Sequence, residues 1–399
     1  MAAQKGIGRL VQFGVAKETT RGTAISSAAF WNPWIDLTLD EKKEFAIDEQ
    51  SYGIIEDTTN LTQLKQWAQG SIQGNIHDQT FGLILYSMLG TLTSHAAHSG
   101  ESTVYDNIFN IAESAQHQSL TFFLHDPLSA QDYSYANGVV EKLEIMAELK
   151  KFVMFNASIK ALTGAAQSTF TPSTTSENRF VPQYLAAKFA LNSAGLAGTL
   201  TATGTAASTI HVTACSINPQ TNLKVGMGVT GTNIPANTTV AKIVSSTAYD
   251  LSQATTGAIG TQTFTPVTIA LKSAKLTINA NVEDQDVLGS LNPADFLNKD
   301  FAVEGTMECI YQNNSDFKDQ FMGPYPLAML LDFKNTDVTL GTATNPELIF
   351  NMPQVTIQEF GRPFKVKDLV YQTVKIKCRY SVADTLMLKV TLTNTVNGY

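Results

Sequence analysis

Cysteine is scarce, charge is thin, and positive charge is the thinner share: 399 residues hold 3 Cys, 27 Lys and Arg, and 35 Asp and Glu, for a net charge of −8. The three cysteines (Cys215, Cys309, Cys378) are far apart and form no CxxC pair. That spacing excludes a disulfide framework and a cysteine-based zinc site and leaves buried free thiols as the reading. Without concentrated Lys and Arg, a protein that grips nucleic acid through its phosphates is excluded. The longest apolar run, FGLILYSMLG (81–90), is too short for a membrane-spanning helix. MAAQKGIGRLVQFG at the start lacks the apolar core of a signal peptide. The expectation is a protein made in a cytosol that stays soluble.

Motifs that carry chemistry are missing too. GIGRL (6–10) lacks the third glycine of a dinucleotide fingerprint and follows no strand, and neither a GK[ST] phosphate loop nor a G-x-S-x-G elbow occurs. His95 and His98 with Glu101 make a weak metal candidate in Gly- and Ser-rich loop text, and His77, His117, His125 and His211 stand alone. The acidic run at 40–57 lacks the Asp/Asn spacing and central Gly of a Ca²⁺ loop, so a solvated or interface-forming face is the better reading. No nucleophile, base and orienting group can be nominated. An enzyme is not expected, nor a cofactor or metal.

What remains is polar β text: 43% hydrophobic, 16% charged, enough chain for two or three domains. Alternation marks strands at FWNPWIDLTL (30–39), GSIQGNI (70–76), TVYDNIFNI (103–111), SLTFFLH (119–125), NGVVEKLEIMAEL (137–149, which also passes for a helix) and KFVMFNASIKA (151–161). Lys150–Lys151 is the expected turn of the last pair. TFGLILYSMLG reads as a helix capped by Asp78 and ended by Gly90. DEKKEFAIDEQSYGIIEDTTN (40–60) reads as a long exposed hairpin or loop, and GVAKETTRGTAI (14–25) as part of an arm.

The order then recurs. AKLTINANV (274–282) matches the first strand, EDQDVLGSLNPADFLNKD (283–300) the acidic loop, and GTMECIY (305–311) matches GSIQGNI, Gly305 on Gly70. PLAMLLDF (326–333) takes the helix slot, ELIFNM (347–352) and VTIQEF (355–360) follow, and LVYQTVKIKCRYS (369–381) overlies KFVMFNASIKA. Between the halves, 196–268 carries only Lys224, Lys242 and Asp250 as charges, with turn residues spaced as in a small β-sandwich. Its flanks, YLAAKFALN (184–192) and TIALKSAKL (268–276), would pair if it were removed, which makes it a module on a hairpin tip.

GVAKETTRGTAI, followed by an acidic segment with Tyr52–Gly53 and then W-x-x-G-S-I-x-G-x-I, resembles the opening of tail tube (major tail) proteins of long-tailed bacteriophages. NGVVEKLEI and KFVMFNASIKA resemble that family's closing strands. LKVGMGVTGTNIPANTTVAKIVSSTAYDLSQATT (223–256) resembles an Ig-like β module of phage structural proteins. The resemblance implies a mainly β chain: an arm (1–30), a first tube-type β-barrel or sandwich domain (31–165), linker and first strands of a second (166–195), the inserted sandwich (196–268), and the rest of the second (269–399), each tube domain with a flanking helix. It implies a virion protein assembled in the host cytoplasm, three chains making a pseudo-sixfold ring, rings stacking into a tube through which DNA passes unbound. Tape measure, tail terminator and baseplate proteins are the implied partners. Asp40, Glu41, Lys42, Glu44, Asp48, Glu49, Tyr52, Glu56, Asp57, Glu283, Asp284 and Asp286 are the candidate inter-ring contacts, and Lys17, Glu18 and Arg21 the candidate arm contacts. The alternatives are a surface adhesin or carbohydrate-binding protein, and another virion part such as a decoration protein or baseplate ring.

Overall fold

Alternating apolar and polar side chains put most of this chain into antiparallel strands, and the short charge supply leaves one face of each free for burial. In the computed structural model the described residues are 7–53, 55, 60–127, 132–167, 170–174, 177–312, 317–323, 326–364, 366 and 369–399. The first part runs β1 (Gln12–Lys17), β2 (Phe30–Asn32), β3 (Asp36–Ile47), β4 (Leu61–Asn75), α1 (Phe81–Leu89), β5 (Gly90–Ala97), β6 (Tyr105–Ile111), β7 (Leu120–His125), β8 (Asp132–Glu148), β9 (Met154–Ala161) and β10 (Ala165–Gln167). After β11 (Leu185–Ala190) come α2 (Ser193–Leu196), β12 (Thr201–Thr203), β13 (His211–Val212), α3 (Pro219–Asn222), β14 (Gly228–Gly231), β15 (Val240–Ser245), β16 (Ala248–Leu251) and β17 (Thr261–Thr265). The last part runs β18 (Val267–Ile269), β19 (Leu271–Asn279), β20 (Glu283–Gln285), β21 (Asp295–Leu297), β22 (Ala302–Ile310), α4 (Lys318–Met322), β23 (Leu327–Lys334), β24 (Glu347–Gly361), β25 (Tyr371–Cys378) and β26 (Lys389–Asn394). The fold is mainly β, in open sheets with no closed barrel.

The pairing pattern occurs twice with the same register. In the first part β3, β4, β9 and β8 lie side by side, and in the last part β19, β22, β25 and β24 do. Gly70 faces Leu39 on one side and Ile159 on the other; Gly305 faces Leu276 and Ile376. The register shift between Val140 and Lys142 on β8 recurs between Ile357 and Glu359 on β24. A second row, β2–β1–β7–β8–β10, recurs as β18–β11–β23–β24–β26, and the shift between Leu120 and Phe122 recurs between Leu327 and Met329. The two sets of four strands join edge to edge: β8 pairs with β19 from Ser273↔Glu148 to Asn279↔Lys142, making one continuous eight-strand run. One hydrophobic core, with Ile72, Phe155, Ile159, Leu276, Met307, Phe350 and Ile376 among its members, extends through both parts.

The inserted stretch forms two three-stranded sheets, β12–β17–β14 and β13–β16–β15, around Val212, Val229, Tyr249 and Phe264. It stands between β11 and β18, where the first part has only the loop between β1 and β2. Its flanks pair as the sequence predicts, Ala187↔Ile269 to Phe189↔Val267. Ala190 and Ala328 belong to its core, so it is seated on β11 and β23.

Four expectations need correction. PLAMLLDF is strand β23, with its apolar side chains buried on both faces between β11 and β24. A strand covered on both sides carries a continuous apolar run, which periodicity cannot tell from a helix. It occupies the place of SLTFFLH, and the helix slot holds the short α4. Asp78 is not the cap of α1: the helix starts after Thr80, and Asp78, fully buried, accepts hydrogen bonds from the Asn178 amide and side chain. ELIFNM and VTIQEF are one strand, with Pro353 tolerated where the ladder to β23 slips register. Residues 12–17, expected within an arm, are a buried strand between β2 and β7. Gly90 does end α1 in the left-handed region at φ 85°, and Lys150 takes φ 65° in the expected turn. Of the two readings of 137–149, the strand is the one found.

A methyl group added at Gly70 would lie 1.9 Å from the Thr38 carbonyl oxygen, whereas at Gly305 the nearest atom is an Ile376 side-chain carbon at 3.0 Å. Backbone cannot yield as a side chain can. Gly70→Ala is expected to cost about 3 kcal/mol or more and Gly305→Ala below about 1.5 kcal/mol, read from chemical denaturation. Equal losses would contradict the difference in backbone approach.

Candidate assembly interface

A strand with no neighbour on one side exposes a row of backbone donors and acceptors. Among the described residues β3 pairs only with β4, so the outer edge of its 12 residues is open. At the other end of the eight-strand run, residues 356–361 of β24 pair only with β25. These two open edges bound the eight-strand run.

The sheet has one core-facing side and one polar side. The polar side is of mixed sign, and its lysines have acidic partners: Lys42 with Asp40 at 3.5 Å, Lys142 and Lys275 with Glu144 at 2.8 and 3.1 Å, Lys375 with Glu359 at 3.6 Å, and Lys377 with Glu304 at 3.7 Å. Exposed pairs of this kind add little to stability, about 0–1 kcal/mol each. Their effect is on the field, since a paired ammonium offers a phosphate little.

Asp40, Glu41, Lys42 and Glu44 lie on β3, exposed along its length. Asp48, Glu49 and Tyr52 follow at the end of the hairpin, where the Tyr52 hydroxyl donates to Asp48 at 2.9 Å. Glu56 and Asp57 lie outside the described residues. Towards its tip the hairpin bares apolar side chains: Phe45, Ile47, Leu61 and Leu64 are each about half exposed. Grouped exposed apolar residues mark contact surfaces.

The second acidic segment behaves differently. It folds back as the β20–β21 hairpin across the first part of the chain. Asp284 accepts from Lys65 at 2.8 Å and Lys160 at 3.1 Å, Asp286 from Lys65 at 2.9 Å, and the Gln66 amide donates to the Leu291 carbonyl at 2.8 Å. Glu283 pairs with Lys299. Burial pushes the Asp284 carboxyl up, but hydrogen bonds and charge from Lys65 and Lys160 outweigh it and hold it below the usual carboxylate range. Asp284 is thus engaged within its own chain.

So are the arm candidates. Lys17 donates to the Tyr399 carbonyl. Glu18, 3% exposed, accepts from the Gly22 and Asn137 amides, each at 2.8 Å, and from Ser119 and Thr121 at 2.7 and 3.1 Å. Arg21 reaches Asp295 at 2.6 Å and the carbonyls of His117 and Phe296 at 2.5 and 2.7 Å. The K-E-T-T-R-G text therefore builds a latch between the first part and the β20–β21 hairpin. Sequence reasoning missed its partner Asp295, whose only signal was an acid beside Pro293 in NPAD.

Neither the weak metal candidate nor a lone histidine gains a site. His95 bonds Asn397, His98 bonds Asp106, and Glu101 accepts from the Thr342 and Ala343 amides. Among the described residues no three His, Cys, Asp or Glu side chains converge on a point that could hold a metal. No described helix is long and apolar enough to cross a membrane.

Open sheet edges and a hairpin with exposed apolar side chains are surfaces of the kind a structural protein uses for association. The family profile described as phage tail tube protein matches residues 8–368, and the chain belongs to that family. No curated protein matches it. Membership makes it a structural component of a bacteriophage virion, in the tail, which assembles with itself and with other tail components.

Asp295 tests the latch. Burial raises its pKa, but hydrogen bonds from Asn137, Arg21 and the Phe296 amide outweigh this and hold it low. A carboxyl with a depressed folded pKa contributes stability that is complete above its unfolded pKa and is lost as pH falls through the folded value. Asp295→Asn is expected to cost about 2 kcal/mol at neutral pH by leaving Arg21 without its charge partner. The gap from wild type should shrink as the pH drops through the carboxylate range. Denaturation midpoints at pH 7 and pH 3 check it, and a gap independent of pH would contradict the electrostatic origin.

Proposed function

We propose that this chain is the tube subunit itself: three chains close into a ring, and rings stack into the conduit through which DNA leaves. The observation that carries this is the doubled register, two sets of four strands joined side by side with one open edge at each end. A duplicated tube domain is the simplest account of it. The matching bulges and glycines fall where two copies of one ancestral unit would put them, whereas unrelated strands have no reason to share register. On this reading the tube domains span 31–165 and 269–399, with 166–195 leading into the second and 196–268 an Ig-like insertion pointing outward.

Three chains supply three times eight strands. At about 4.8 Å between strands their circumference is about 115 Å and the backbone diameter about 37 Å, which tilt widens further. That leaves room for a DNA duplex after side chains are counted. The core-facing side of the sheet packs under the rest of the fold, so the polar side lines the bore. Its lysines are neutralised by carboxylates, which lets phosphates pass without counterion-releasing contacts. The β3–β4 hairpin, with Asp40 to Tyr52 and its bare apolar tip, reaches the next ring; the 283–300 hairpin serves mainly to fasten the two tube domains. Tape measure, terminator and baseplate proteins are the partners such a tube requires, and assembly takes place in the host cytoplasm.

Negative-stain microscopy and native mass spectrometry of the purified protein test this. Rings or tubes with an open bore and a mass of three chains are expected. Monomers only, together with phage particles whose tails lack this chain, would refute it.

A further inference from the structure

We infer that the chain carries a binding site for an acidic oligosaccharide, in a two-lobed cavity around Trp34 in the first part of the chain. This does not rest on the tube reading: it concerns a surface that the open edges and the hairpin leave unused.

Pro33, Trp34 and Ile35, between β2 and β3, are shared by two adjoining cavities of about 590 and 280 Å³. The larger, within the size range of small-molecule sites, is also lined by Gln12 and Trp31, the smaller by Asn75, His77 and Arg179, and both by Arg9. Two of the chain's three tryptophans and two of its five arginines therefore line one place. The walls are fixed. The Trp34 Nε1 donates to the Val11 carbonyl at 3.1 Å, and Trp31 packs against Phe123 and Phe170, with ring centroids 6.5 and 6.1 Å away. Arg179 donates from Nε to His77 Nε2 at 3.3 Å and lies 5.4 Å from the Phe152 ring centre. Burial and the charge of Arg179 push the His77 imidazole down to about 4, so at neutral pH it is the uncharged acceptor this bond requires.

The charges here are treated unlike those elsewhere in the molecule. Arg21 and the lysines of the polar sheet face have carboxylate partners, whereas Arg9 and Arg179 have none among the described residues. Their guanidinium forks suit a planar, bidentate anion such as a carboxylate. The indoles supply flat apolar walls, and the Gln12 and Asn75 amides both donate and accept. A ligand with apolar ring faces, hydroxyls at its rim and a carboxylate matches that set, which describes a uronic acid residue in a short sugar chain. Two adjoining lobes call for more than one ring. A peptide fits less well: Pro33 has no N–H and the Ile35 amide is already donated to the Gln73 carbonyl at 2.7 Å, so the shared wall offers no row of backbone groups to pair with. A nucleotide would use the indoles and guanidinia but leave the amide groups without ring hydroxyls to bind.

Titration calorimetry of the full chain with trigalacturonate tests the site. Binding is expected with a Kd below about 1 mM. Maltotriose, which has the ring faces without the carboxylates, should bind about tenfold or more weakly, and so should galacturonate, which can fill only one lobe. Arg9→Ala/Arg179→Ala should erase the preference for trigalacturonate over maltotriose, and Trp34→Phe should weaken both. Both arginines are exposed, so the double variant should keep the wild-type denaturation midpoint. No heat from trigalacturonate at about ten times that Kd, equal affinity for maltotriose, or affinity unchanged in the arginine variant would each overturn the inference. Tighter, arginine-dependent binding of dAMP or of a glutamate-rich peptide would overturn it too, in favour of that other ligand class. None of these outcomes bears on whether three chains form a ring, so the two readings fail separately.

Discussion

A β-sheet is complete only when every strand has a partner on each side, and this molecule is organised around that requirement. Buried or exposed, a backbone amide at an open edge seeks an acceptor, and a long open edge is a template for another chain. β3 presents such an edge over 12 residues and β24 a shorter one at the opposite end of the same run. In the described chain α4 packs on a face of β24, with Phe321 against Phe360, and the inserted sheets sit on β11 and β23; no described strand pairs with either open edge.

On the proposed reading, joining two tube-type units in one chain turns one of the ring's seams into an internal one. The β8–β19 ladder then needs no encounter between molecules, and the chain can reinforce it. The β20–β21 hairpin crosses from one side to the other, held by Asp284 on Lys65 and Lys160 and by Asp295 on Arg21. β26 extends the same tie by pairing with β6 of the first part. The polar side of the sheet uses charge differently, in pairs that cancel rather than in a latch that binds.

Much of this was legible in the amino-acid order, for local reasons. Gly70 and Gly305 inside alternating apolar runs marked equivalent strands, because period-two patterning and a missing side chain are properties of the strand itself. The pairing of YLAAKFALN with TIALKSAKL followed from the uncharged text between them. PLAMLLDF was misread because a strand covered on both faces has no alternation to reveal. Asp78 was misread because its true partner, Asn178, is 100 residues away. Glu18 and Arg21 were marked as contacts of an arm, yet their partners Asn137 and Asp295 lie in the same chain. Position along the chain cannot show such pairings, nor which edges are left open; both emerge only once the ladders are laid side by side.

Hydrogen exchange along β3 measures the central claim most directly. Alternate amides of 36–47 point away from β4, toward the side on which no described strand pairs with β3. In isolated chains those amides should exchange rapidly, and in assembled tubes they should slow by orders of magnitude while the amides already bonded to β4 change little. If the outward amides exchange equally fast in both states, the edges are not completed by a neighbour and the account is wrong.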